Sequence, residues 1–307
     1  MSAPSDEGGV IGLEVTSTPV DDVPDWLKYH RSERVTEYDS SKYDWNSLLT
    51  DLLHTPEWAS SNRPIHEIHK TRDGETNGLP AEPPRWRKLT HAFRHAGWKM
   101  PPAWAKAMRP GEEKRSFTLL QKETYYLNFL EAYKAFVTNE IAPTCGDPNG
   151  VVFQSPPTIR VAMPSKAPTI QLHCDSQYDR HQSGEINFWV PVGKVFGFNC
   201  LRVESKPNAA DYIPIELTEH EYLRFDGYNC RHFTVPNDTD YTRISFDFRV
   251  VPVSLYKEFT SANKRKSGKI GDYKTMRTGP VKLRDFDQSK DKVIRLANGS
   301  RGDIKGN

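Results

Sequence analysis

An α+β, mainly β fold with a supporting helical layer is what this sequence predicts. Three observations predict it. Eight short β-rich runs with irregular turns crowd into residues 150–254, which argues for a sandwich or barrel rather than βαβ units. Several of those runs set a strongly apolar face against a face of ligand-type side chains. Two amphipathic helical stripes precede them.

The chain of 307 residues is long enough for one large domain, and a single domain spanning 1–307 is expected. Four parts are legible in it: a polar N-terminal segment (1–42), a helical layer (43–149), a β core (150–254) and a basic C-terminal segment (255–307). Hydrophobic residues make up 36% and charged residues 27%, and the net charge is +2. That composition argues against a membrane protein, a collagen-like fibre and a disulfide scaffold. The polar, acidic start resembles neither a secretory signal nor a transit peptide. Cys145, Cys174, Cys200 and Cys230 form no C-x-x-C pair and read as buried small hydrophobes in a reducing cytoplasm. The C-terminal segment carries 14 Lys+Arg against 6 Asp+Glu. It reads as a solvated arm; nucleic acid is a disfavoured partner, no membrane partner is expected, and the oligomeric state is left open.

In the helical layer, Trp45, Leu48, Leu49, Leu52 and Leu53 recur on one helix face, and Pro56 ends the run. A longer helix is expected over 116–141. Ser116 would cap it, Leu119, Leu127, Leu130, Tyr133, Val137 and Ile141 would form its stripe, and Pro143 would stop it. Between the two, residues 60–88 with Pro64, Pro80, Pro83 and Pro84 read equally as a binding loop or as disorder. The expected strands are 158–163, 169–175, 185–192, 200–204, 212–217, 222–225, 232–235 and 242–253. In the last of these, Ile244, Phe246, Phe248 and Val250 share one face, and Arg243, Ser245, Asp247 and Arg249 the other. Gln171, His173 and Asp175 oppose Ile170, Leu172 and Cys174; Asn187 and Trp189 oppose Ile186, Phe188 and Val190; Arg160 opposes Ile159 and Val161. A wetted face would show more Lys, Glu and Thr, so the polar faces read as the lining of a cavity.

His173 and Asp175 form a His-x-Asp pair whose side chains leave a strand on the same side, about 7 Å apart. His232, following the Asp226-Gly227 turn, is the best third ligand. Two imidazoles and one carboxylate on one side of an ion leave three positions open, the pattern of non-haem Fe(II) oxygenases. Arg243 and Ser245 follow on an inward face, where a guanidinium fork and a hydroxyl suit a carboxylate.

The order His173-x-Asp175, His232, Arg243-x-Ser245 resembles the Fe(II)- and 2-oxoglutarate-dependent oxygenase family. The stretches 175–191, 232–239 and 242–250 are similar more narrowly to the oxygenases of streptomycin-type aminoglycoside biosynthesis clusters. The likeness covers about 150–253. It implies a double-stranded β-helix (jelly-roll, cupin-like) core, with Fe(II) on His173, Asp175 and His232. It further implies 2-oxoglutarate as co-substrate with its far carboxylate on Arg243 and Ser245, and O₂ as oxidant. The implied reaction is hydroxylation of an unactivated C–H of a small-molecule substrate. A free amino acid, guanidino compound or amino-sugar-like intermediate of specialised metabolism fits. Asp175 sits where halogenating relatives carry a small residue, which favours hydroxylation or a related desaturation or ring closure. Two rivals stand beside this reading: a hydroxylase of protein or nucleic-acid side chains, and a non-catalytic cupin-like binding protein.

The remaining candidates each have a plainer alternative. Asn187 and Gln171 read as hydrogen-bond partners of 2-oxoglutarate or as satisfied barrel amides. Arg160 grips an anionic substrate group or pairs with Glu185 or Asp247. Trp189 walls the co-substrate pocket or fills the barrel. Tyr178, Asp179 and His181 contact substrate at the mouth or pack a loop. For Arg249 and Asp247, farther along the Arg243 face, structural pairing is expected first. His91 with His95 and His66 with His69 lack a third ligand for zinc.

Overall fold

The computed structural model describes residues 17, 19–53, 64–70, 124–164, 166, 168–179, 181–257, 269–270, 273–287 and 289–292. Helix α1 (Asp25–Arg31) and strand β1 (Arg34–Glu37) lead to helix α2 (Trp45–Leu53). A 3-10 segment (Ile65–Lys70) and helix α3 (Thr124–Phe136) follow, and α3 runs on through one π-helical stretch (Val137–Ile141). The β region then holds β2 (Val151–Gln154), β3 (Thr158–Ala162), β4 (Ile186–Val192), β5 (Leu201–Val203) and β6 (Ile213–Ile215). It continues with β7 (Glu221–Phe225), β8 (His232–Phe233) and β9 (Arg243–Pro252). Three short strands, β10 (Lys269–Ile270), β11 (Tyr273–Arg277) and β12 (Asp291–Lys292), close the described chain.

Among the described residues every ladder is antiparallel. The larger sheet runs β10-β11-β2-β9-β4-β7-β1-β12, and β3 continues alongside β2 on the same edge of β9. The smaller sheet is β6-β5-β8. Alternation along β9 and β4 decides how the layers stack. Ile244, Phe246, Phe248 and Val250, with Ile186, Phe188 and Val190, face the helices and join Trp45, Leu49, Phe129, Tyr133 and Phe136 in one core. The contacts there are aromatic edges on faces: Trp45 lies 4.9 Å from Phe246, and Tyr133 lies 5.1 Å from Phe248. The Tyr133 hydroxyl is satisfied by the Gln154 carbonyl at 2.5 Å. On the opposite face, Trp189, Leu223 and Phe225 pack against Val203 and Ile215 of the smaller sheet and against Leu217. Two antiparallel sheets thus sandwich a second core, and the helices cover the outer face of the larger one. This is the mainly β arrangement with a helical layer that the sequence predicts.

Several expectations differ from what is found. Residues 169–175 do not form a strand; His173 makes one isolated bridge to His232, and Asp175 opens a 3-10 turn (Asp175–Gln177). In α3 the buried stripe is aromatic (Tyr126, Phe129, Tyr133, Phe136), whereas Leu127 is exposed, because the phase is set by the Phe-rich sheet beneath. The terminal segments are not merely polar arms. β1 pairs with β7, and β12 from the basic segment pairs with β1, where Lys292 reaches Glu221 at 2.7 Å and Glu37 at 2.8 Å. β11 extends the other edge on β2. The expected cap at Ser116, Leu119, the prolines 80–84 and the pair His91 and His95 lie outside the described residues.

Candidate metal centre

Backbone pairing brings the two histidines together. The His232 N–H donates to the His173 carbonyl at 2.8 Å, and the His173 N–H donates back at 3.3 Å. Their rings lie 4.4 Å apart. In each ring, Nδ1 donates to a carbonyl two residues upstream: Gln171 for His173 at 2.7 Å, and Cys230 for His232 at 3.1 Å. That bond fixes the tautomer and leaves both Nε2 atoms as bare donors. Burial depresses the basicity of both imidazoles, and for His232 the pKa falls to about 3. Both rings are therefore neutral near pH 7, the form that binds a metal.

Asp175 is brought in by the same loop. Its N–H donates to the Gly227 carbonyl at 2.9 Å, and the Ser176 N–H to the Tyr228 carbonyl at 3.0 Å. Gly227 is needed there, since a Cβ would lie 2.5 Å from the Asn187 amide. The carboxylate is buried and asymmetric in its bonds. Oδ2 accepts from Asn187 Nδ2 at 2.6 Å and from Arg249 Nε at 2.9 Å. Oδ1 receives only Arg249 Nη2, at 3.3 Å, and faces His173 Nε2 at 3.8 Å. Burial raises the carboxyl's pKa, but Arg249, with His181, outweighs it and holds Asp175 well below the usual carboxylate range. One donor atom each from His173, Asp175 and His232 lies within 4.8 Å of the others. Two neutral imidazoles and one ionised carboxylate, each held from behind, fit a divalent transition metal with open positions.

A second trio, Asp175, His181 and Glu185, is equally close. It suits a cation less well. His181 Nδ1 already donates to Glu185 at 2.7 Å, and Oδ2 of Asp175 is occupied by Asn187 and the Arg249 guanidinium.

A pocket opens beside the triad, lined among others by Arg160, His173, Asn187, Trp189, His232 and Arg249. Arg160 is committed to an ion pair with Asp247, which also takes Arg249 at 2.8 Å. Positive and negative groups therefore alternate along Arg160, Asp247, Arg249 and Asp175. Arg243 and Ser245 share the inward face of β9 but lie beyond the cavity lining, with the Arg243 guanidinium 5.5 Å from the Trp189 ring. Arg243 is 2% exposed, and only Nη1 is bonded, to the Asn199 carbonyl at 2.7 Å. Its Nε and Nη2 and the Ser245 hydroxyl are buried without partners. Burial, with Arg160 nearby, lowers the Arg243 pKa to about 10. These orphaned donors describe a place for an anionic acceptor.

Among the other expected residues, Gln171 does not face the cavity. Its side chain is exposed and only its carbonyl serves the site, because the segment is not a regular strand and alternation does not apply. Asn187 is spent on Asp175, which leaves its amide N–H directed at the carboxylate rather than at a co-substrate. Tyr178 is 53% exposed with its ring edge-on to His173 at 5.6 Å; Asp179 is also exposed, and His181 turns inward to Glu185. The Arg249 grip on Asp175 is a partner that sequence reasoning missed. Its signal is the β4–β9 register, which sets Arg249 opposite Asn187, two donors beside one buried acid.

No family model matches the chain. A curated relative is the streptomycin biosynthesis protein StrG of Streptomyces griseus, 35% identical over 123 residues. That stretch is 40% of this chain and 56% of the relative, so just over half of the relative's length is matched. Among solved structures, EvdO2 from Micromonospora carbonacea var. aurantiaca complexed with 2-oxoglutarate is similar over 82% of this chain and 99% of its own, at 11% identity and a TM-score of 0.37. The non-heme alpha ketoglutarate dependent carbocyclase SnoK from nogalamycin biosynthesis is similar over 50% and 74%, at 12% identity and a TM-score of 0.36. Among the described residues, no helix is long and apolar enough to cross a membrane.

Proposed function

We propose that this protein is an Fe(II)- and 2-oxoglutarate-dependent oxygenase of a small polar metabolite, built on a double-stranded β-helix. One observation carries the reading: His173 and His232, each with a bare Nε2, and Asp175 each place a ligand atom within 4.8 Å of the other two. His173, Asp175 and His232 would hold the iron, which when bound supplies activation of O₂ for oxidation of a C–H bond. The residues around it set what else enters. The four charges of Arg160, Asp247, Arg249 and Asp175 cancel in sum, so a divalent ion and Arg243 are left uncompensated. A dianion such as 2-oxoglutarate offsets two of those three positive charges. The orphaned Arg243 Nε and Nη2 and the Ser245 hydroxyl suit its far carboxylate. Trp189 gives that carboxylate a dry wall, in which charge-assisted hydrogen bonds strengthen. Tyr178, exposed and edge-on to His173, and the exposed Asp179 next to it in the chain stand where a substrate would enter. The similarity to StrG supports a metabolite of the amino-sugar or guanidino type, with a free amino acid as the next class to try.

The test is succinate formation from 2-oxoglutarate with Fe(II) and ascorbate, screened over aminocyclitols, guanidino compounds and basic amino acids. Arg243→Gln should raise the 2-oxoglutarate concentration needed by at least about 100-fold, since truncating one partner of a buried charge pair costs ~3–5 kcal/mol. His232→Ala should abolish turnover and Fe(II) binding together. Full turnover in the His232 variant would refute the ligand set. Metal binding without any succinate, under every substrate, would favour a non-catalytic cupin-like binding protein.

A further inference from the structure

A second cationic feature lies on the far side of the sheet and has no part in the metal centre. Arg34 of β1 and Arg224 of β7 are directly opposed in the ladder, so their side chains leave the sheet side by side on one face. Arg224 is 3% exposed. Its Nε donates to the Ser32 carbonyl at 3.2 Å, and its Nη2 is buried without a partner. Arg34 is half-buried, and its Nε is likewise without a partner. Neither guanidinium meets a carboxylate among the described residues. Instead both lie over the Phe286 ring, at 4.3 Å for Arg34 and 4.1 Å for Arg224.

Like charges facing each other across a ladder are unfavourable, and desolvation adds to the cost. Burial pulls the Arg224 pKa down to about 10, and Arg34 contributes in the same direction. A ring face attracts cations but offers no lone pair to the free N–H groups. A purely structural pair at this place would be cheaper as Gln or Met. Two guanidinium groups on neighbouring strands, each with an orphaned donor and with one edge open through Arg34, suit the acceptors of an oxyanion.

We propose that Arg34 and Arg224 form a binding site for a small oxyanion, a phosphate or a carboxylate, remote from the metal centre and roofed by Phe286. The site is independent of the oxygenase reading. Its test is thermal unfolding and calorimetry of the full chain titrated with inorganic phosphate or with succinate, each against sodium chloride of equal ionic strength. The two arms distinguish a phosphate from a carboxylate ligand. The wild type should show a saturable rise in Tm with at least one of them. Arg34→Gln should diminish it, and Arg243→Gln, which alters the other anion pocket, should keep the part that Arg34→Gln removes. Should Arg34→Gln not fold, Arg34→Lys keeps the charge without the fork and should bind at least tenfold more weakly. No saturable response to either anion, an undiminished response in the Arg34 variant, or a response lost in Arg243→Gln would overturn the proposal.

Discussion

Replacing Arg249 with methionine tests how Asp175 is kept ionised inside the protein. Arg249 is 7% exposed and Asp175 1%. The substitution removes the 2.9 Å and 3.3 Å hydrogen bonds to Asp175 and the 2.8 Å bond to Asp247. Asp247 keeps Arg160 and Asp175 keeps Asn187, so neither acid is stripped entirely. Truncating one member of a buried ion pair costs about 3–5 kcal/mol, and the upper half of that range is expected because two carboxylates depend on the same fork. A divalent ion on Asp175 would replace the missing positive charge. The loss should therefore be full in metal-free protein and shrink when Co(II) or Zn(II) is bound, by linkage. Urea unfolding of wild type and Arg249→Met, with chelator and with metal, reads both numbers. A loss under about 1 kcal/mol without metal, or an equal loss in both conditions, would refute the reasoning.

Three further outcomes are expected. Ser245→Ala should leave stability unchanged or raise it by up to about 1 kcal/mol, because the hydroxyl it removes is buried without a partner, while the 2-oxoglutarate requirement rises; unfolding and succinate assays check the two halves. Phe246→Ala should cost about 3–5 kcal/mol in urea unfolding, since Phe246 is fully buried against Trp45, Phe129 and Tyr133. For Asp21, burial raises the carboxyl pKa, but Arg31, Asn229 and Ser183 outweigh it and hold it at about 2. A depressed folded pKa gives stability that is present above the ordinary value of 3.8 and lost as pH falls toward 2. The stability gap between wild type and Asp21→Asn should then shrink between pH 5 and pH 2, and a constant gap would show that Asp21 is not the group responsible.

The helical layer and most of the strands are legible in the sequence because their signals are local. Period-two alternation in 242–253 and 185–192 marks both faces of β9 and β4, and the stripe from Trp45 to Leu53 marks α2. The 169–175 segment misleads for a physical reason. Its side chains alternate in composition, yet its backbone bonds mainly to scattered positions of residues 227–234 rather than to one regular ladder, so Gln171 ends exposed while His173 and Asp175 point inward. The terminal strands β1, β11 and β12 carry little hydrophobic pattern, since each draws its stability from the edge it joins rather than from its own face.

Residue chemistry along the chain determined that imidazoles, an acid, an arginine and a hydroxyl stand at spacings suited to a metal and an anion. Tertiary structure alone decided their states. The Gln171 and Cys230 carbonyls choose the histidine tautomers, and Arg249 with Asn187 leaves Asp175 Oδ1 as its freer donor atom. Residues far apart in the chain reach hydrogen-bond distance only when the sheet registers close, so no local pattern contains those choices.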